Sequence, residues 1–381
     1  MLFINAVIHT MAGYVIENGF IETEGSAIKR VGSVSELSES EKSDAIDLRG
    51  DSVYPGFIDT HTHLGLVGDA LGFESDDINE MTNPLTPHLR AIDAINPLDL
   101  SFKEAAQAGV TAVVACPGSS NPIGGQTAAI KTHGVCVDDM IIKAPLSIKM
   151  ALGENPKTVY HERKESPSSR MATAAAIRGI LNEAKEYLAK KEKDEDQDYN
   201  QALEALIPLL KGEIPAYIHA HREDDILTAA RIAREFGFDY IIVHGTRGHL
   251  VAERLIKENI KIMSGPLLCD RSKPELKDLT PAAPAILKKA GIEISIVTDH
   301  PVIPIQYLPL CAGLAAREGL AHEDALRAIT IDAAKMAGIE NRVGSIEVGK
   351  DADFSVFSED PLTISAKPKM VVINGEIVHK A

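Results

Sequence analysis

Residues 55–65 read P-G-F-I-D-T-H-T-H-L-G, a short apolar run, Gly56–His63, that closes on two histidines one residue apart. In a β-strand alternate side chains share a face. His61 and His63 are therefore expected to leave the strand end in the same direction. Two imidazoles held in register are half of a site for a borderline transition metal. Taken alone, the pair reads equally well as polar residues at a strand end. The decision rests on whether other strands end in comparable groups.

Outward from this stretch, residues 55–344 alternate short apolar runs with helical patterns, as a parallel α/β architecture requires. Strand candidates are Gly56–His63, Thr111–Cys116, Ala128–Thr132, Ile141–Gly153, Ala216–His221, Tyr240–His244, Lys261–Ser264 and Glu293–Asp299. Eight strand–helix repeats over this length fit a (β/α)8 TIM barrel. Both chain ends, 1–54 and 345–381, carry short β-like runs instead, punctuated by turn pairs such as Asn18–Gly19 and Asn374–Gly375. They are expected to pair with each other into one small β domain. The segment S-S-N-P-I-G-G-Q-T, 119–127, lacks the spacing of a phosphate or dinucleotide loop. It reads as an active-site loop whose backbone approaches substrate closely.

Chemistry in such a barrel sits at the C-terminal strand ends, and titratable residues appear there repeatedly. A-Y-I-H-A-H ends in His219 and His221, D-Y-I-I-V-H-G in His244, I-S-I-V-T-D-H-P in Asp299 and K-M-A-L-G-E-N-P in Glu154. A buried strand end is a costly place for charge unless a metal or a partner offsets it. Five strands ending this way point to a metal site. His221 shares the face of His219 and is a candidate substrate contact. Arg222 and Arg247 could clamp a substrate carboxylate in two-pronged fashion, with a surface salt bridge as the ordinary alternative. His249 and His300 read as structural.

Composition narrows the partners. Of the 381 residues 45% are apolar, enough for a proper core, and the formal charge is −16. An acidic surface excludes nucleic acid and anionic membrane as expected partners, leaving a small molecule. No apolar run reaches the length of a membrane span. The four cysteines, Cys116, Cys136, Cys269 and Cys311, are scattered, without C-x-x-C spacing. They read as reduced thiols of a cytoplasmic protein. The opening M-L-F-I-N-A-V-I-H-T has no basic leader region and reads as a strand.

H-T-H after P-G-F-I-D, then H-A-H, V-H-G and V-T-D-H-P, resembles the amidohydrolase superfamily, with imidazolonepropionase-related and prolidase-like members as nearest neighbours. The tail G-S-I-E-V-G-K-D-A-D-F resembles that superfamily's return into a small β-sandwich. The resemblance implies that His61 and His63 bind one metal from the first strand. It implies that Asp299, from the eighth, binds the same metal and handles protons. His219 and His244 are implied as ligands of a second metal. The fourth-strand bridging group is a carboxylated lysine or a glutamate in the superfamily, and Glu154 is preferred here because it abuts the break at Asn155–Pro156. Lys149 would lie roughly 16 Å deeper along an extended strand, and stays in play if the strand ends sooner, at Ala151. One or two divalent ions are implied, zinc first, with manganese, iron or cobalt compatible. The implied activity is hydrolysis of a C–N amide bond, cyclic or dipeptide-like, by a metal-activated water. Two alternatives stand beside it. Deamination of a base-like ring is disfavoured because Arg222 occupies the position of the superfamily's proton-shuttling glutamate; a non-catalytic scaffold is disfavoured by the full ligand set. Appended sheets of this kind often associate, so a homo-oligomer is open.

Overall fold

The computed structural model describes residues 1–68 and 72–381. Five parallel strands lie side by side: Ile148–Ala151, Ala216–Ala220, Tyr240–His244, Ile262–Ser264 and Ile294–Ile296. A sixth, Ile123–Gln126, runs antiparallel along Ile148–Ala151. These strands are buried on both faces, and accordingly read as runs of Ile, Val and Ala rather than as alternations. Register brings their C-terminal ends level, with Ala151 opposite His219, Ala220 opposite His244 and His244 opposite Ser264.

Helices cover the outer face. Glu223–Phe236 is representative: Ile226, Ala229, Ala230 and Ala233 are buried on one side, and Glu223, Asp224 and Asp225 stand in its first turn, where the helix dipole favours negative charge. It stops at Gly237, whose φ of 78° lets its N–H close on the Ala233 carbonyl at 2.7 Å.

Phe57–Thr62 lies in a separate four-stranded sheet, parallel to Val110–Ala115. The expected single closed barrel is thus a mixed α/β fold whose parallel strands fall in two sheets. No backbone ladder joins Phe57–Thr62 to Ile294–Ile296 among the described residues. Side chains span that gap instead, with one backbone bond beyond the strand ends, from the His63 N–H to the His300 carbonyl at 2.9 Å. Asp59 Oδ2 accepts from the Thr298 N–H at 3.0 Å and from its hydroxyl at 2.6 Å, and the Thr60 and Ser295 hydroxyls meet at 2.8 Å. The Asp59 carboxylate takes the N–H that a strand neighbour would otherwise use.

The chain ends do pair. Leu2–His9, Val15–Glu24, Ala27–Ser33, Ile46–Asp47 and Ser52–Pro55 join Phe354–Phe357, Met370–Ile373 and Glu376–Lys380 in one eight-stranded sheet. The β-sandwich implied by resemblance is, among the described residues, this single sheet. Asn374 and Gly375 form the expected hairpin with φ of 50° and 76°, both left-handed as the turn requires. Asn18–Gly19, in contrast, is not a turn. Both residues lie inside Val15–Glu24, and a Cβ on Gly19 would meet Ile8 Cδ1 at 2.4 Å. The glycine is there for packing. The sheet is tied to the α/β layer by Lys131, whose buried ammonium contacts the carboxylates of Asp353 and Asp351.

Two other expectations are corrected. Ile141–Gly153 is broken into Ile141–Lys143 and Ile148–Ala151, so the fourth strand ends at Ala151. Within 119–127, Ile123–Gln126 is a strand rather than a substrate loop. The close approach at Gly125 is to the carbonyl of Leu89, 2.6 Å from where its Cβ would stand.

Candidate metal centre

Five imidazoles and one carboxylate meet at the level strand ends. The rings form a chain: His63 and His61 have centroids 5.2 Å apart, His61 and His244 5.4 Å, His244 and His219 4.6 Å, and His219 and His221 4.7 Å. Two triads within it, His219–His221–His244 and His61–His244–Asp299, bring their ligand atoms within 4.8 Å of one another. His221, expected at the substrate, thus stands inside a ligand cluster.

Backbone conformation aims two of these groups. Val243 packs inward with Tyr217 and Met263, while Ile242 packs outward. Simple alternation would send His244 outward too. Its φ of 75° breaks the alternation and turns the ring back, and Asp299 does the same with φ of 56°. Left-handed non-glycine residues cost on the order of 1–3 kcal/mol each and cluster at functional sites.

Hydrogen bonds fix which nitrogens are free. The His63 Nδ1–H donates to the Cys116 carbonyl at 2.7 Å and the His244 Nδ1–H to the Gly265 carbonyl at 2.8 Å. A carbonyl only accepts, so each ring carries its proton on Nδ1 and turns Nε2 toward the cluster, as a lone pair in His244, which burial keeps neutral. His221 Nδ1 is engaged by the Thr246 hydroxyl at 2.7 Å. On His61 and His219 both buried ring nitrogens lack a hydrogen-bond partner. Asp299 Oδ1 stands 3.2 Å from His61 Nε2 and 3.4 Å from His63 Nε2. Two imidazole nitrogens and a carboxylate oxygen therefore converge at separations suited to ligands of a common cation. This is the arrangement a divalent ion fits. Burial keeps the rings neutral and able to ligate: it pushes His61, His219 and His221 well below their usual range and His244 down to about 4.

Of the two fourth-strand candidates, Lys149 lies on the strand, fully buried, and its Nζ donates to the Pro117 carbonyl at 3.0 Å. Burial lowers its pKa. The early strand end at Ala151 removes the depth argument against it. Glu154 is the first residue of the helix Glu154–Glu162 and belongs to neither triad. Its preference rested on a strand continuing to the proline, which it does not. Arg222 is not drawn in either: its guanidinium grips the Asp224 carboxylate at 2.9 and 2.6 Å on the surface. Arg247 lies between Glu223 and Asp278, at 3.1 and 3.0 Å. His249 Nδ1 contacts the Thr246 carbonyl, and His300 Nδ1 accepts the Ile305 N–H. Both hold loops, as expected.

One residue escaped the sequence reading. Glu275, on the short turn Pro274–Leu276, is buried, with Oε1 3.6 Å from His221 Nε2 and 3.9 Å from His219 Nε2. Its surroundings, D-R-S-K-P-E-L-K-D, look like a solvated loop and carry no apolar strand pattern.

Comparison with known proteins settles the family. The amidohydrolase family model matches residues 52–378. The chain belongs to the amidohydrolase family. That membership makes it a metal-dependent hydrolase acting on carbon–nitrogen bonds. It is similar to the amidohydrolase tasK of Hapsidospora irregularis, 30% identical over 94% of this chain and 39% of the relative, so it spans well under half of that longer protein. It is also similar to an imidazolonepropionase of Fusobacterium nucleatum, 26% identical over 90% of this chain and 86% of the relative. Among solved structures, an amidohydrolase from Thermotoga maritima superposes over all of both chains with a TM-score of 0.95 at 41% identity. Among the described residues, no helix of this family member is long and apolar enough to cross a membrane.

Proposed function

We propose that this amidohydrolase cleaves the C–N amide bond of a small polar substrate, cyclic or dipeptide-like, at the cluster of His61, His63, His219, His244 and Asp299. The observation that carries the reading is the Asp299 carboxylate set 3.2 and 3.4 Å from the Nε2 atoms of His61 and His63, with both His61 ring nitrogens lacking a hydrogen-bond partner. His61, His63 and Asp299 would hold one divalent ion, and His219 and His244 a second, with zinc the best match to imidazole-rich ligation. His244 has one free nitrogen and so serves a single ion. Lys149 is the better fourth-strand group. When bound, such ions polarise a carbonyl and bring the pKa of a water toward neutrality. Asp299 then accepts a proton from the nucleophile and delivers it to the leaving nitrogen. Buried, left-handed and flanked by imidazoles, it is fixed in place for both transfers. His221, neutral and held by Thr246, lines the same pocket.

The strand set supports reading 55–344 as a (β/α)8 barrel bearing the site and 1–54 with 345–381 as a separate small β domain. The test of function is metal content of the purified protein, followed by amine and ammonia release from a panel of cyclic amides, dipeptides and amino-substituted rings, before and after chelation and zinc reloading. Zinc-dependent amide cleavage supports the proposal. Ammonia from the rings alone would transfer the assignment to deamination, and a metal-free, inert protein would make it a scaffold.

A further inference from the structure

Glu275 has its two oxygens in different surroundings. Oε2 accepts the N–H of Glu154 at 3.1 Å, at the N-terminus of the helix Glu154–Glu162, which anchors the carboxylate. Oε1 is buried and receives no aligned hydrogen bond, although Lys273 Nζ stands 2.8 Å away and out of line. It faces His221 Nε2 at 3.6 Å and His219 Nε2 at 3.9 Å. These separations are too long for hydrogen bonds. They are close to the spacing of ligands sharing one zinc, about 3.4 Å for tetrahedral bonds of about 2.1 Å. The His219 ring has no other partner for either nitrogen. Lys273 is itself turned outward, donating to Asn155 Oδ1 at 2.9 Å, and Asn155 donates to the Ser119 hydroxyl at 2.7 Å. The ammonium thus has a second acceptor at the rim while pairing with the inner carboxylate oxygen on one side, and the histidines face that oxygen on the other.

We propose that Glu275 is an anionic protein ligand of the second metal ion, the one given above to His219 and His244, on the side that His221 also faces, and that it is supplied by the loop after the strand Ile262–Ser264 rather than by a strand end. This rests on the metal-centre reading above. It makes the second position a histidine–carboxylate site.

The experiment strips the full-length protein with chelator and titrates zinc alone against a chromophoric competitor, with zinc per chain confirmed by elemental analysis. Glu275→Gln keeps the anchoring acceptor for the Glu154 N–H. Glu275→Asp keeps the charge opposite Lys273 but withdraws it from the imidazoles. Both are expected to weaken one zinc equivalent at least tenfold and to leave the other unchanged, with parental circular dichroism. Lys273→Met removes the competing cation and is expected to bind zinc as tightly as the parent or tighter. If both glutamate variants bind every equivalent with parental affinity, Glu275 is not a ligand. An equal loss in Lys273→Met would show that the ion pair only shapes the loop, and overturns the proposal as well. A parent that takes no zinc at all defeats the metal-centre reading itself, which is a different result from parental binding retained in the variants.

Discussion

Replacing Lys149 by methionine should leave the metal-free protein close to its parental stability and the enzyme inactive. The Lys149 ammonium is buried with 1% of its surface exposed, and one carbonyl, that of Pro117, is its hydrogen-bond acceptor. An ammonium has three donors, so most of its hydration is lost without replacement. Exchanging buried ionic groups for apolar ones of similar volume is neutral or stabilising by about 1–4 kcal/mol. Leaving the Pro117 carbonyl unpaired costs about 1–3 kcal/mol in return. The net expectation for Lys149→Met runs from a loss of about 2 kcal/mol to a gain of about 3 kcal/mol, read as a shift of the urea midpoint at unchanged slope. Activity should fall at least about 100-fold, because the buried Lys149 charge acts on both His61 and His219. Steady-state kinetics on the substrate found by the panel measures the second half. A variant with near-parental activity, or one that loses clearly more than about 2 kcal/mol of stability, refutes the reasoning: the first denies Lys149 a place in the site, the second shows that its charge is better compensated than the structure indicates.

Asp299→Asn should retain metal while losing about 100- to 10,000-fold in turnover, the usual span for a removed acid–base group; elemental analysis and kinetics on one preparation check both. Glu154→Gln should leave metal content and rate within a few-fold of parental values, since the side chain belongs to neither triad; a loss of bound zinc would reinstate it as the fourth-strand ligand. Acid should destabilise the stripped protein early. His244 is held down to about 4 by burial against 6.5 in the unfolded chain. The unfolded state therefore binds the extra proton between these values, and stability rises with pH across that window. His244 alone contributes roughly 3 kcal/mol to that slope. Denaturation midpoints of the stripped protein from pH 4 to 7 test it, and a flat profile would contradict the neutral assignment.

Much of this centre was readable because its residues terminate apolar runs. His61, His63, His219, His244 and Asp299 each follow a stretch that had to be a buried strand, and register then made the ends meet. The choice between Lys149 and Glu154 depended on where one strand stops, a boundary set by neighbouring strands rather than by the nearby proline. Glu275 was invisible because the loop that carries it has no periodicity, and its burial comes from contacts more than 50 residues away in sequence. Asn18–Gly19 misled for a related reason: a glycine placed to admit Ile8 looks the same in sequence as one placed to turn the chain.

His61 and Asp299 stand on opposite banks of the gap where the first and last parallel strands share no ladder and are held by side chains and a single backbone bond, from the His63 N–H to the His300 carbonyl. A cation shared between them would act as a rivet through that gap. Occupancy would then govern how far the molecule breathes, slowing amide exchange at Thr298 and across the adjoining strands, and the stripped chain would be the form that proteases open first.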